Sequence, residues 1–188
     1  MKGDIGEEIF DLVDRADRVV GKASRRSVHK NKLLHRAVHV FIRSGPERWI
    51  LQKRSSQKDE EPLLWTTSCS GHVDSGETYL AAAVRETKEE LGLTLEPSEL
   101  IEVFRSSACR ETANEFVRVY ACPCKDDLSP DPLEVLATRE LTLAEIEEEM
   151  EGSPEAFCNS FRHLFPFARK RMKSYISSNC SDSDGRSP

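Results

Sequence analysis

Apolar and polar positions along the chain alternate in short runs broken by turn residues, with two or three helical stretches between. Val38, Val40 and Ile42 alternate within residues 35–43, which predicts a strand. Ser44-Gly45-Pro46-Glu47 is a turn signal, and residues 49–53 return as a second strand, making a hairpin. Residues 17–22 read as a short strand and turn. Residues 55–62 are polar and end at Pro62, hence a loop, and 65–70 are extended. Residues 99–109 and 115–122 read as strands, and 135–138 as a short one. A helix is predicted over 79–91, stopped by Gly92 at a favoured C-terminal cap position. Thr142, followed three residues later by Glu145, is a capping box that opens a helix through Met150. Ser153 and Pro154 start a last helix reaching about Tyr175, with a kink expected at Pro166. Strands mixed with few helices predict an α/β or α+β sandwich. Residues 1–175 form one domain, and 176–188, rich in Ser and Asp, are expected to be a disordered tail.

Composition changes this picture little. The chain has 188 residues and a mass of 21.3 kDa, enough for one domain with its own core. No run approaches the roughly 18 apolar residues of a membrane span, so no membrane partner is expected. The acidic start lacks an apolar secretory region, and the six cysteines are too scattered for a disulfide scaffold. These features predict a cytoplasmic protein with reduced thiols. Cys122 and Cys124 read as two buried strand residues flanking a turn. The net charge of −6 argues against a dedicated nucleic-acid partner. That average hides an asymmetry. Residues 15–58 hold 13 Lys and Arg against 2 acids, whereas 134–155 hold 8 Glu against 1 Arg. Two solvated faces, or a basic part that meets an anionic ligand, would both produce it.

The segment that carries chemistry runs from Gly71 to Leu93. On a helix at about 100° per residue, Leu80, Val84, Thr87 and Leu91 form one stripe, expected to face the core. Glu86, Glu89 and Glu90 lie together on the far side with Arg85 at their edge, and Ala82 and Ala83 are expected to leave open space there. Like-charged neighbours at i, i+3 and i+4 cost roughly 0.2–0.5 kcal/mol each in an isolated helix. A solvated acidic face is one reading. The other is a site for a hard divalent cation, which takes carboxylate oxygens and substrate phosphates as ligands.

The spacing Gly71, five residues, Glu77, seven residues, Arg85-Glu86, two residues, Glu89-Glu90, one residue, Gly92-Leu93 resembles the Nudix box, departing only at Thr87. The resemblance implies an α/β/α sandwich with a mixed sheet and a box folded as loop-helix-loop. It implies a hydrolase dependent on Mg²⁺ or Mn²⁺ that cleaves a diphosphate linkage in a small, nucleoside diphosphate-like substrate. Glu86, Glu89 and Glu90 match the family's metal-binding glutamates, and Gly71 a backbone position near the metal. Arg85 matches the arginine that orients the box glutamates, Glu77 among them.

Upstream the chain is similar to the branch that contains isopentenyl-diphosphate isomerase. Arg54 and Lys58 match that enzyme's diphosphate-binding pair. His35, His72 and Glu115 match its metal ligands, with His29 one residue off register. Its catalytic Cys falls on Ser70 and its acidic partner on Ala113. Cys69 is expected to point away, since neighbours on a strand face opposite sides. An isomerase, or a non-catalytic sensor domain, is therefore the alternative to hydrolysis. Trp65 is expected as pocket wall. Oligomeric state is not readable from the sequence.

Overall fold

The computed structural model describes residues 8–179, with side chains to residue 174. The described residues form nine strands and four α-helices. β1 (Ile9–Val13) and β2 (Val19–Ser24) make a small antiparallel sheet of their own. β1 has no counterpart in the sequence reading. Its buried Asp11 accepts hydrogen bonds from Ser75 Oγ (2.7 Å) and Gly76 N (3.0 Å), tying the strand to the loop ahead of the box helix. Helix α1 (Arg25–Asn31) follows, capped by Ser24. Only Arg25 and Val28 are buried in it, so it shows no apolar periodicity.

The main sheet is mixed. β3 (His35–Arg43) runs parallel to β8 (Glu115–Pro123) along its whole length, and β7 (Ile101–Ser106) lies antiparallel beyond β8. β4 (Arg48–Arg54) pairs on one side with β9 (Val135–Thr142), longer than its predicted 135–138. The predicted hairpin is present, but β3 and β4 share only Ile42↔Ile50 and Arg43↔Trp49 before they part. Residues 65–72 enter the gap: β5 (Trp65–Thr66) pairs with β4, then β6 (Cys69–His72) with β3. The Ser68 hydroxyl closes the fork, accepting from Ile42 N (2.7 Å) and donating to the Ile50 carbonyl.

Both faces of the sheet are covered, giving the expected α/β/α layers. Helix α2 (Tyr79–Leu91) packs over Val38, Val40, Ile42 and Cys69. Helices α3 (Leu143–Gly152) and α4 (Asn159–Asn179) pack over Phe41, Trp49 and Val119 on the other face. α3 opens with the predicted Thr142–Glu145 box, both of its hydrogen bonds formed. Three expectations need correction. Pro154 opens a 3₁₀ turn (Pro154–Ala156), and the last helix starts only at Asn159, because Cys158 N bonds the Trp65 carbonyl and holds the chain extended. That helix carries Pro166 in its interior and continues to Asn179, four residues into the stretch expected to be disordered; residues 180–188 lie outside the described residues. Pro123 ends a strand rather than making a turn, so Cys122 is buried while Cys124 lies beyond the strand, half-buried.

Candidate metal and diphosphate site

Helix α2 begins at a Thr78 cap and ends at Gly92 in the left-handed region (φ 70°). Its buried face is rotated from the expected stripe. Ala82, Ala83, Thr87, Glu90 and Leu91 are buried, Leu80 and Val84 are half-buried, and of the three acids only Glu89 is exposed. The small alanines are core residues, not open space over the acids. They let the helix lie close to β3 and β6, so Glu86 and Glu90 point toward the fork of the sheet. The Thr87 hydroxyl donates to the Ala83 carbonyl (2.7 Å), which satisfies it inside the core. Gly71 is needed at that contact, because a Cβ there would sit 2.1 Å from Glu86 Cδ.

Arg85 organises this wall of the cavity. It bonds Glu77 through Nε (3.1 Å) and a terminal nitrogen (2.8 Å), and that nitrogen also donates to the His72 carbonyl (2.9 Å). Its other terminal nitrogen holds Glu86 (2.6 Å) and Glu89 (3.3 Å). Glu90 is held separately, by Gln52 Nε2 (2.8 Å) and Ser70 N (3.3 Å), with Lys58 Nζ at 4.0 Å. Burial raises the pKa of both Glu86 and Glu90, and the negative charge of Glu90 raises that of Glu86 further.

Behind His72 and Glu115, which line the cavity, lies a cluster of imidazoles. His29 of α1, His35 of β3 and His72 of β6 bring ligand nitrogens within 4.8 Å of one another. Glu115 Oε1 lies 3.5 Å from His35 Nε2 and 3.1 Å from His72 Nε2. Phe10 of β1 is the platform: its ring stacks on His72 (4.6 Å between centroids) and His35 (5.8 Å) and meets His29 edge-on. Outer partners set the tautomers. His35 Nδ1 lies 2.9 Å from the Leu33 carbonyl and His29 Nδ1 3.1 Å from Glu60 Oε1, so each Nδ1 carries a proton for that acceptor and each Nε2 is turned inward. At His72 the partner of Nδ1 is Arg25 (3.2 Å), which can only donate, so the proton is on Nε2. The Nε2 atoms of all three are buried and lack an aligned hydrogen-bond partner. Burial lowers the His72 pKa to about 4, despite Glu115. Burial would raise Glu115, yet the facing imidazoles hold it well below the usual carboxylate range. These donors fit a divalent ion: three buried Nε2 atoms without an aligned partner converge beside an ionised carboxylate.

Arg54 and Lys58 both line the cavity. Arg54 is braced by the Glu60 carbonyl (2.9 and 3.1 Å), and Lys58 pairs with Glu134. Ser70 and Ala113 line it too, whereas Cys69 is fully buried toward α2, as strand alternation requires. Cys158 is the thiol that lines the cavity among the described residues, and burial pushes its pKa up to about 12. Trp65 is not a lining residue; it lies under the Arg139 guanidinium, 3.9 Å from the ring centroid.

Four contributors escape the sequence reading: Phe10, Gln52, Glu134 and His39. Burial lowers the His39 pKa to about 4, so the ring is neutral at neutral pH. Its Nδ1 lies 3.0 Å from Thr67 Oγ1, which donates its own proton to the Cys69 carbonyl. His39 therefore donates through Nδ1, and its Nε2 keeps a lone pair in a ring that lines the cavity. The available signal is that His35 and His39 stand four residues apart on one strand, hence on one face.

The NUDIX domain family matches residues 33–159. The chain is 43% identical over 90 residues to an isopentenyl-diphosphate Δ-isomerase of Serratia proteamaculans, covering 48% of this chain and 50% of that relative. It is 38% identical over 100 residues to an uncharacterised Nudix hydrolase of Clostridium acetobutylicum, covering 52% of this chain and 48% of that one. The matches thus span about half the length of these curated relatives. A crystal structure from Deinococcus radiodurans superposes with a TM-score of 0.73 at 26% identity, over 85% of this chain and 98% of that one.

Proposed function

The chain belongs to the Nudix family, and from that premise we propose that it is a Mg²⁺- or Mn²⁺-dependent hydrolase that cleaves a diphosphate linkage in a small, nucleoside diphosphate-like molecule. The observation that carries this reading is the wall built around Arg85, with Glu86 and Glu90 lining the same cavity as the cationic Arg54 and Lys58. Glu86, Glu89, Glu90 and the Gly71 backbone would hold the ion. When bound, it neutralises phosphate charge and acidifies a water for attack on phosphorus. Arg85 aims Glu86 and Glu89, while Gln52 and the Ser70 amide fix Glu90. Arg54 suits bidentate contact with the diphosphate and Lys58 acts as a point charge. The Nε2 of His39 accepts a hydrogen bond from a donor on the substrate. His29, His35, His72 and Glu115 would hold a second ion.

The isomerase alternative has support in the names of curated relatives and in this histidine cluster. Its chemistry needs an acid and a base placed at carbon. Ser70 and Ala113 supply neither, and the buried Cys69 is turned away. No described helix is long and apolar enough to cross a membrane. A panel of diphosphate compounds, assayed with Mg²⁺ and with chelator, tests the proposal; turnover that survives chelation would refute it. Deuterium exchange into isopentenyl diphosphate in D₂O would put the isomerase in its place.

A further inference from the structure

A second group of unlike donors meets at the rim of the cavity, away from both regions above. Cys109 and Glu111 sit in the loop between β7 and β8, and His163 on α4. One ligand atom from each lies within 4.8 Å of the other two. The Cys109 Sγ to His163 Nε2 separation is 3.6 Å. With metal–sulfur and metal–nitrogen bonds of about 2.3 and 2.05 Å, a tetrahedral zinc would set those two atoms about 3.6 Å apart. We propose that Cys109, Glu111 and His163 form a binding site for a soft divalent ion such as Zn²⁺, distinct from the carboxylate and histidine sites.

The loop is built to hold this arrangement. Thr112, almost fully buried, accepts from Cys109 N (3.2 Å) and donates to the Glu115 carbonyl (2.9 Å). The amide of Asn114 closes the loop on the Cys109 carbonyl (2.8 Å). The backbone turns through the left-handed region at Ala113 and Asn114 (φ 52° and 67°), and Cys109 lies against His163 of α4. The donor set, one thiol, one imidazole and one carboxylate, selects Zn²⁺ or Co²⁺ over Mg²⁺, which prefers oxygen alone. Binding replaces the thiol proton with the metal: Cys109–SH and M²⁺ give Cys109–S–M⁺ and a released H⁺. Three protein ligands leave a fourth position for water, as in open zinc sites. Glu111 lines the cavity, so that position opens on the cavity rim. An ion there ties to α4 the loop that leads into Glu115.

Cobalt titration of the full chain, with Mg²⁺ in excess, tests this independently of any activity. The expected result is a thiolate-to-Co²⁺ charge-transfer band in the near ultraviolet that saturates at one equivalent and is displaced by Zn²⁺. Cys109→Ser removes the band. His163→Gln weakens Co²⁺ binding at least tenfold with unchanged circular dichroism. His72→Gln keeps the band, which separates this site from the histidine cluster. No band in the unaltered protein, or a band that survives Cys109→Ser, would overturn the assignment.

Discussion

The two walls of the cavity are organised by different forces. The carboxylate wall is held by ions and donors: Arg85 spans Glu77, Glu86 and Glu89, while Gln52 and Lys58 take Glu90. Among the described residues its three acids are not one of the groups whose ligand atoms lie within 4.8 Å of one another. Like charges separate: Glu86 and Glu89 share Arg85 as their spacer, and Glu90 has partners of its own. The histidine wall is held by packing. A buried Phe10 stacks on His35 and His72, and the rings gather into one converging group. The lesson is that a site of charges needs cationic spacers from its own fold, whereas a site of imidazoles can be gathered by ring stacking, with polar partners at its edges.

That contrast sets the expected effects. Glu90→Gln keeps the shape of the side chain and removes its charge, so hydrolysis with Mg²⁺ should fall at least about a hundredfold. Glu89→Gln should act in the same direction. Because burial already disfavours the charge of Glu90, the melting temperature of Glu90→Gln in chelator should hold or rise. Full turnover with a normal melt would mean that the carboxylate wall is not the working one.

In chelator the walls should also respond oppositely to pH. His39 and His72 titrate near 4 when folded and near 6.5 when unfolded. The unfolded chain then binds more protons as pH falls through that window, so stability is full above 6.5 and is lost on the way to 4. The loss should be about 3 kcal/mol for each ring. Glu86 has the reverse sign: its raised pKa keeps a proton that the unfolded chain has released, so stability falls as pH rises above the ordinary carboxylate value of 4.5. Denaturant titrations across pH should show an optimum between these limbs. His39→Asn should flatten the acid limb, since its amide can still donate to Thr67.

Smaller effects separate substrate binding from ion binding. Arg54→Ala and Lys58→Ala should each raise KM about tenfold, the scale of one hydrogen bond to a charged group. Unchanged KM and kcat in both would reduce the basic stretch to a solvated face. Smallest is Arg25→Gln. A glutamine carbonyl can accept from His72 Nδ1, which frees Nε2 as a ligand, so calorimetry should show Mn²⁺ binding at the histidine wall tightened about threefold at this order of magnitude.

The sequence was legible where local rules decide. The 79–91 helix, its glycine stop and the Thr142 box follow from spacing and capping, and the Nudix pattern located Arg85 and the acids. It was illegible where partners come from afar. Phe10 and Gln52 act through residues 19 or more positions away. His29 sits one residue off register in sequence, yet α1 turns it into the cluster, because a helix places residues by rotation and not by count. The buried face of the box helix departs from its apolar stripe because small Ala82 and Ala83 pack as core while contributing little to such a stripe. The Trp65 side chain faces Arg139, a partner 74 positions later.

The parting of β3 and β4 after two residue pairs has a consequence for engineering. The box from Gly71 to Leu93 resembles a cassette, yet its third acid is completed by Gln52 on one tine of the fork and by the Ser70 amide of a strand on the other. A graft of those residues onto a foreign helix would carry the acids and Arg85 without the split that receives them. The transplantable unit is the forked sheet together with the helix.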